Sequence, residues 1–222
     1  MRLVLPRLYV ILDAALLKIP AKECAKSLVD AGVRLIQYRN KRASGRELFE
    51  TSRELAEYLN PLGVQFIVND RADVAALAGA RGVHVGQDDL GVEQARKVIG
   101  DGRWVGVSTH NAGQFRAALE TSADYIAVGP VFATGSKENP DPVVGVGFVR
   151  ETRAMTDKSI VAIGGITLER AAEVIEAGAD SVAIISDILR AENVGKRALQ
   201  YVDLLERRDS GTAVNKDGYG RD

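Results

Sequence analysis

Eight short apolar runs divide this chain, and they are apolar throughout rather than alternating. They begin near Leu8, Arg34, Gln65, Gly82, Trp104, Asp124, Ser159 and Ser181. A strand with one wet face alternates polar and apolar residues; an unbroken apolar run marks a strand covered on both faces, as in a parallel sheet. Amphipathic stretches of helical period separate the runs, over 21–31, 44–59, 70–77, 91–99, 111–121, 167–177 and 191–206. Ser44 stands where a helix cap belongs, and Gly32 and Asn60-Pro61 stand where helices stop. Strands alternating with helices build a parallel α/β fold. An open nucleotide-binding sheet concentrates its chemistry in one loop, whereas here polar residues follow nearly every run. The expected architecture is therefore a single-domain (β/α)8 TIM barrel over residues 1–206. Residues 207–222 are polar, glycine-rich and without periodicity, and are expected to form a disordered tail.

Composition narrows the possible partners. With 222 residues, 46% of them hydrophobic, the chain can bury one large core. Its 29 basic and 30 acidic residues leave a net charge of −1, which predicts no general attraction to nucleic acid or to a membrane surface. No apolar stretch reaches the ~20 residues that span a bilayer. A single cysteine, Cys24, in a helical pattern suits a reducing, cytoplasmic setting and a small core side chain. The pattern fixes no oligomeric state.

If the runs are parallel strands, the residues after them share one rim. Asp70 and Asp89 follow neighbouring strands, and two carboxylates with nearby phosphate oxygens suit Mg2+. Asp88 is an alternative to Asp89 at this point, and each Asp also sits where a helix cap could stand. Gln37, Arg39 and Lys41 alternate out of the second strand, a row of an amide and two cations fit for a diphosphate. Thr134, Gly135, Ser136 and Lys137 lie in the longest loop, 130–145, which is expected to cover the site. Ser108 follows the fifth strand as a phosphate-grade hydroxyl, with no His–Asp pair to make it a nucleophile. Gly164-Gly165 after the seventh strand and Ile185-Ser186 after the eighth form the pattern of a barrel phosphate site. His84 falls inside a strand and reads as a packed core histidine. His110 lies nearer the rim, as a possible acid or base. Three small-residue turns, 31–33, 122–124 and 177–180, precede strands and belong to the opposite face. Two anion sites on one rim suit an enzyme that joins two phosphorylated molecules.

The ordered set Gln37-Tyr38-Arg39-Asn40-Lys41, Asn69-Asp70-Arg71, His84 through Asp89, Gly106-Val107-Ser108, Gly129 through Lys137 and Ile163 through Ile166 resembles thiamine phosphate synthases. The resemblance runs from about Tyr9 to Glu206. It implies condensation of hydroxymethylpyrimidine diphosphate with a thiazole phosphate, giving thiamine phosphate and diphosphate. It further implies that residues 37–41 (Gln37, Tyr38, Arg39, Asn40, Lys41), Asn69, Ser108 and Lys137 hold the pyrimidine diphosphate. Arg39, Lys41, Ser108 and Lys137 would then serve the chemistry, and Asp70 and Asp89 would hold Mg2+. Thr134, Gly135, Ser136, Gly165, Ile185 and Ser186 would hold the thiazole phosphate. Asn40 and Ser136 depart from the Glu and Thr common in the family. Other readings on the same barrel are a thiazole tautomerase using His110, a thiamine-phosphate sensor without turnover, and a phosphosugar isomerase.

Overall fold

The computed structural model describes residues 3–134 and 141–211. Its strands are β1 Leu8–Asp13, β2 Leu35–Arg39, β3 Gln65–Asn69, β4 Gly82–Val85, β5 Trp104–Thr109, β6 Tyr125–Val128, β7 Ser159–Ile163 and β8 Ser181–Ile184. They pair in chain order, all parallel, and β8 closes on β1 through Leu8, Tyr9 and Val10. The closed barrel is the expected (β/α)8 architecture. Helices α1 Ala21–Asp30, α2 Gly45–Leu59, α3 Ala72–Leu77, α4 Val92–Ile99, α5 Ala112–Leu119, α6 Gly145–Met155, α7 Leu168–Glu176, α8 Ser186–Leu189 and α9 Val194–Gly211 surround it. Two of these, α6 and the short α8, have no counterpart among the helical stretches read from sequence. The backbone of α9 runs five residues past the expected boundary at Glu206, and residues 212–222 lie outside the described residues.

Local signals explain several boundaries. Ser44 Oγ accepts from the Glu47 amide while the Glu47 carboxylate accepts from the Ser44 amide, a reciprocal cap that starts α2. Asn111 caps α5 by accepting from Gln114 N–H at 2.9 Å. Because strand side chains alternate, each strand feeds two cores. Ile36, Val68, Val83, Val105, Ile126 and Ala162 point outward against the helices, where Cys24, buried as expected, also sits. Tyr9, Ile11, Leu35, Ile67, Tyr125, Ala127, Val161 and Ala183 fill the barrel itself. Residues 3–7 pass beneath the barrel, where Leu5 plugs the interior and Ser181 Oγ donates to Arg7 O.

The face opposite the rim carries more than small-residue turns. Asp124, before β6, accepts from Val105 N–H at 2.7 Å and pairs with Arg96 at 2.5 Å. Asp180, before β8, accepts from Ile160 N–H at 2.8 Å and pairs with Arg153 at 2.9 Å. Each Asp ties its turn to the neighbouring strand, and each Arg also donates to loop carbonyls. Loss of such a charge-assisted cluster costs about 2 kcal/mol. At ~2–4 °C per kcal/mol for a domain of this size, Arg96→Ala should lower Tm by roughly 4–8 °C. Calorimetry reads this, and turnover at 25 °C should be unchanged because the residue lies on the far face.

Candidate active site

The rim is assembled by strand parity. Residues two apart share a side, so Leu35, Gln37 and Arg39 form one inward column on β2. Parallel registry sets Asn69 beside His84 and Val85 beside Val107, which brings the ends of β2 to β5 together. Arg39 is held by a buried carboxylate not picked out from sequence, Asp13 at the end of β1, only 4% exposed. Asp13 also accepts from Ala15 N–H at 3.0 Å. The available signal was a charged residue closing an apolar run.

Lys41 pairs with Asp70. Asp70 has a left-handed backbone, φ 62°, unusual for a residue with a side chain. Its N–H donates to His84 O at 2.7 Å, which fixes it against β4. Burial raises the Asp70 carboxyl above its ordinary range; Lys41 opposes this, and the facing Asp89 carboxylate adds to it. Asp89, anchored by Gly86 N–H at 2.8 Å, is thus the member of its pair that meets Asp70, while Asp88 is exposed. Among the described residues no group of three or more acidic, histidine or cysteine side chains gathers. Two carboxylates in mutual repulsion remain, which suits a hard cation that takes its other ligands from phosphate and water.

Not every residue expected here sends its side chain to the rim. Tyr38 packs in the outer core, and its hydroxyl accepts from Asn40 Nδ2 at 3.3 Å. Asn40 Oδ1 in turn accepts from the Arg42 and Ala43 amides, both at 3.1 Å. Asn40 therefore shapes the turn that presents Lys41. Ser108 has a histidine partner that was not picked out from sequence: His84 Nε2 lies 2.8 Å from Ser108 Oγ. No carboxylate completes a triad, since His84 Nδ1 faces the Tyr125 hydroxyl at 3.1 Å. Burial holds the His84 pKa down at about 4. Gln87 Nε2 braces the same strand end by donating to Ser108 O at 2.6 Å.

Across the rim, a cavity of about 370 Å³ is lined by Thr134, Gly165, Ile185 and Ser186. Gly165 has φ 62°, and a Cβ there would sit 2.8 Å from Phe132 Cβ. Glycine alone lets the two loops close to this distance. Two arginines not picked out from sequence line the same cavity, Arg170 and Arg190. Arg170 stacks over Phe132 at 4.5 Å and donates to Gly165 O at 3.3 Å. Gly135, Ser136 and Lys137 lie outside the described residues, as does the middle of the loop expected to cover the site. His110 donates from Nδ1 to Gly129 O at 2.7 Å, and its Nε2 is 3.6 Å from Asp141.

With this geometry in hand, comparison with known proteins is direct. The family model for thiamine monophosphate synthase matches residues 8–188, most of the chain. The chain belongs to the thiamine monophosphate synthase family. The thiamine-phosphate synthase of Koribacter versatilis is 50% identical over 206 residues, covering 90% of this chain and 96% of that protein. That of Chloroflexus aurantiacus is 42% identical, covering 87% and 90%. Among solved structures, the thiamine phosphate pyrophosphorylase of Pyrococcus furiosus superposes with a TM-score of 0.82 at 32% identity, covering 90% of this chain and 96% of that one. No helix among the described residues of this family member is long and apolar enough to cross a membrane.

Proposed function

We propose that this enzyme joins a hydroxymethylpyrimidine diphosphate to a thiazole phosphate, releasing diphosphate, with Mg2+ held by Asp70 and Asp89. The observation that carries the reading is the division of the rim. One side gathers Arg39, Lys41, Asp70 and Asp89, and the other is a glycine-lined cavity with Arg170 and Arg190. Two anionic substrates need two such places, whereas a tautomerase needs only the second.

The chain's own groups account for most of the chemistry. Bond breaking between the pyrimidine methylene and the diphosphate oxygen leaves positive charge on carbon and adds negative charge to the leaving group. Arg39, locked by Asp13, and Lys41 meet that negative charge with fixed cations. When bound, Mg2+ supplies further neutralisation of the diphosphate. Ser108 and Asn69 orient the same substrate. Gly165, Ser186 and the two arginines hold the thiazole by its phosphate, so that its ring nitrogen attacks a partner already in place. No protein nucleophile is required. Incubation with both substrates and Mg2+ should yield thiamine phosphate and diphosphate in equal amounts. Isomerised thiazole without diphosphate would instead support the tautomerase.

The carboxylate pair gives a second test. A carboxyl whose pKa is raised by folding stabilises the fold fully below its unfolded value near ~3.9, and that contribution is lost as pH rises through the folded value. At neutral pH the ionised pair therefore weakens the metal-free protein, and a bound cation offsets this. Mg2+ at about tenfold its Kd stabilises by about 1.4 kcal/mol. That should raise Tm by roughly 3–6 °C at neutral pH. The same concentration at about pH 5 should do less, because protons compete for Asp70. Thermal shifts equal at both pH values would count against the pair as ligands.

A further inference from the structure

Five side chains from five strands make one unbroken hydrogen-bonded line across the barrel interior. Gln37 Nε2 donates to Tyr9 Oη at 2.6 Å. The Tyr9 and Tyr125 hydroxyls are 3.1 Å apart. Tyr125 Oη is 3.1 Å from His84 Nδ1, and His84 Nε2 is 2.8 Å from Ser108 Oγ. The His84 ring stacks on Tyr125 with centroids 5.5 Å apart. Gly106 makes this possible, since any Cβ there would overlap the Tyr125 ring. Tyr9, Gln37, Tyr125 and His84 are all buried. Within the line each group must therefore find its partners among its neighbours.

Counting protons fixes the direction of the line. Tyr9 accepts from the Gln37 amide, so its own proton has one acceptor left, the Tyr125 oxygen. Tyr125 then has only His84 Nδ1 to donate to, and that nitrogen must be bare. A neutral imidazole with a bare Nδ1 carries its proton on Nε2 and donates it to Ser108. Ser108 therefore accepts from within and has its own proton to give outward. With Gln37 Nε2 toward Tyr9, the reverse sense strands the Tyr9 proton with no acceptor, and so does an imidazolium donating from both nitrogens; the reverse sense would need the Gln37 amide turned to present Oε1 to Tyr9.

We propose that this line is a positioning relay that writes a fixed donor–acceptor code on the rim: Ser108 offers an O–H, and Gln37 offers its Oε1 as an acceptor. The ligand that fits is an amino-substituted heterocycle carrying an anionic group, with its N–H toward Gln37 and an anionic oxygen toward Ser108. This rests on the reaction given above, and the ligand is then the pyrimidine diphosphate. His84, Tyr125 and Tyr9 act through the two terminal residues and are positioning residues.

The tautomer of His84 tests the direction in the intact enzyme. The chain has two histidines, and His110, which donates from Nδ1 to a carbonyl, is the internal reference. Nitrogen-15 spectra should show His84 protonated on Nε2 and His110 on Nδ1; a proton on Nδ1 of His84 would overturn the proposal. Tyr125→Phe removes one hydroxyl and keeps the ring. It should leave His84 with both tautomers, raise KM for the pyrimidine diphosphate about tenfold, and leave KM for the thiazole phosphate within about twofold. Tyr9→Phe frees only the Gln37 end, so the same KM rise is expected with the His84 signal unchanged. Both variants folding with wild-type KM values would show a merely structural network and overturn the assignment. A wild-type enzyme that makes no thiamine phosphate would overturn the reaction instead, while the His84 spectrum still decided the direction.

Discussion

Asp89→Ala should reduce turnover about a thousandfold while leaving the fold as stable as before, within about 1 kcal/mol. The two halves of this expectation have one cause. In the metal-free protein Asp89 faces Asp70, and together with burial it raises the Asp70 carboxyl. Removing Asp89 relieves that repulsion and leaves Asp70 to Lys41 alone. Against this gain stands one lost hydrogen bond, from Gly86 N–H to a half-buried carboxylate, worth about 1.5 kcal/mol. Stability therefore changes little. Catalysis loses the second carboxylate of the proposed cation site, and with it part of the charge that would meet the departing diphosphate. A thousandfold is about 4 kcal/mol of barrier, the scale found for removal of one preorganised electrostatic group. Steady-state kinetics with calorimetry separate this from misfolding. Activity within tenfold of wild type at saturating Mg2+ would remove Asp89 from the site.

Strand parity explains how much of this was legible beforehand. The eight runs, their order and most helix limits follow from local pattern, because a strand covered on both faces leaves an unmistakable apolar signature. The rim residues Arg39, Lys41, Asp70 and Asp89 were legible because polar groups directly after such runs have few other places to go. What sequence could not deliver was pairing across strands. Asp13 looks like an ordinary strand end until closure of β1 on β2 sets it against Arg39. Tyr9 and Tyr125 are 116 positions apart in separate apolar runs, and their hydroxyl contact exists only in the closed barrel. His84 was readable as a packed histidine but not as the partner of Ser108, since that depends on the β4–β5 register. Tyr38 shows the opposite error. Its motif neighbours face the rim, and its own parity turns it away.

Gly165→Ala should lower kcat/KM for the thiazole phosphate about a hundredfold and leave KM for the pyrimidine diphosphate within about twofold. The added methyl is the smallest possible intrusion, yet it has nowhere to go. It would meet Phe132 Cβ at 2.8 Å and the neighbouring Ala133 carbonyl. The φ of 62° also costs any L-residue about 1–2 kcal/mol. The loop carrying Thr134 and the turn after β7 must therefore part. Parting moves Thr134 from Gly165, and it disturbs Arg170, which stacks on Phe132 and donates to Gly165 O. A hundredfold is about 2.7 kcal/mol, close to the loss of one charge-assisted hydrogen bond. The separation of the two proposed anion sites predicts the asymmetry: Gly165 lines the cavity across the rim from Arg39, Lys41 and Asp70. Kinetics with each substrate varied in turn measure it. Equal losses toward both substrates would mean that the two sites move together, and the rim would have to be treated as a single pocket.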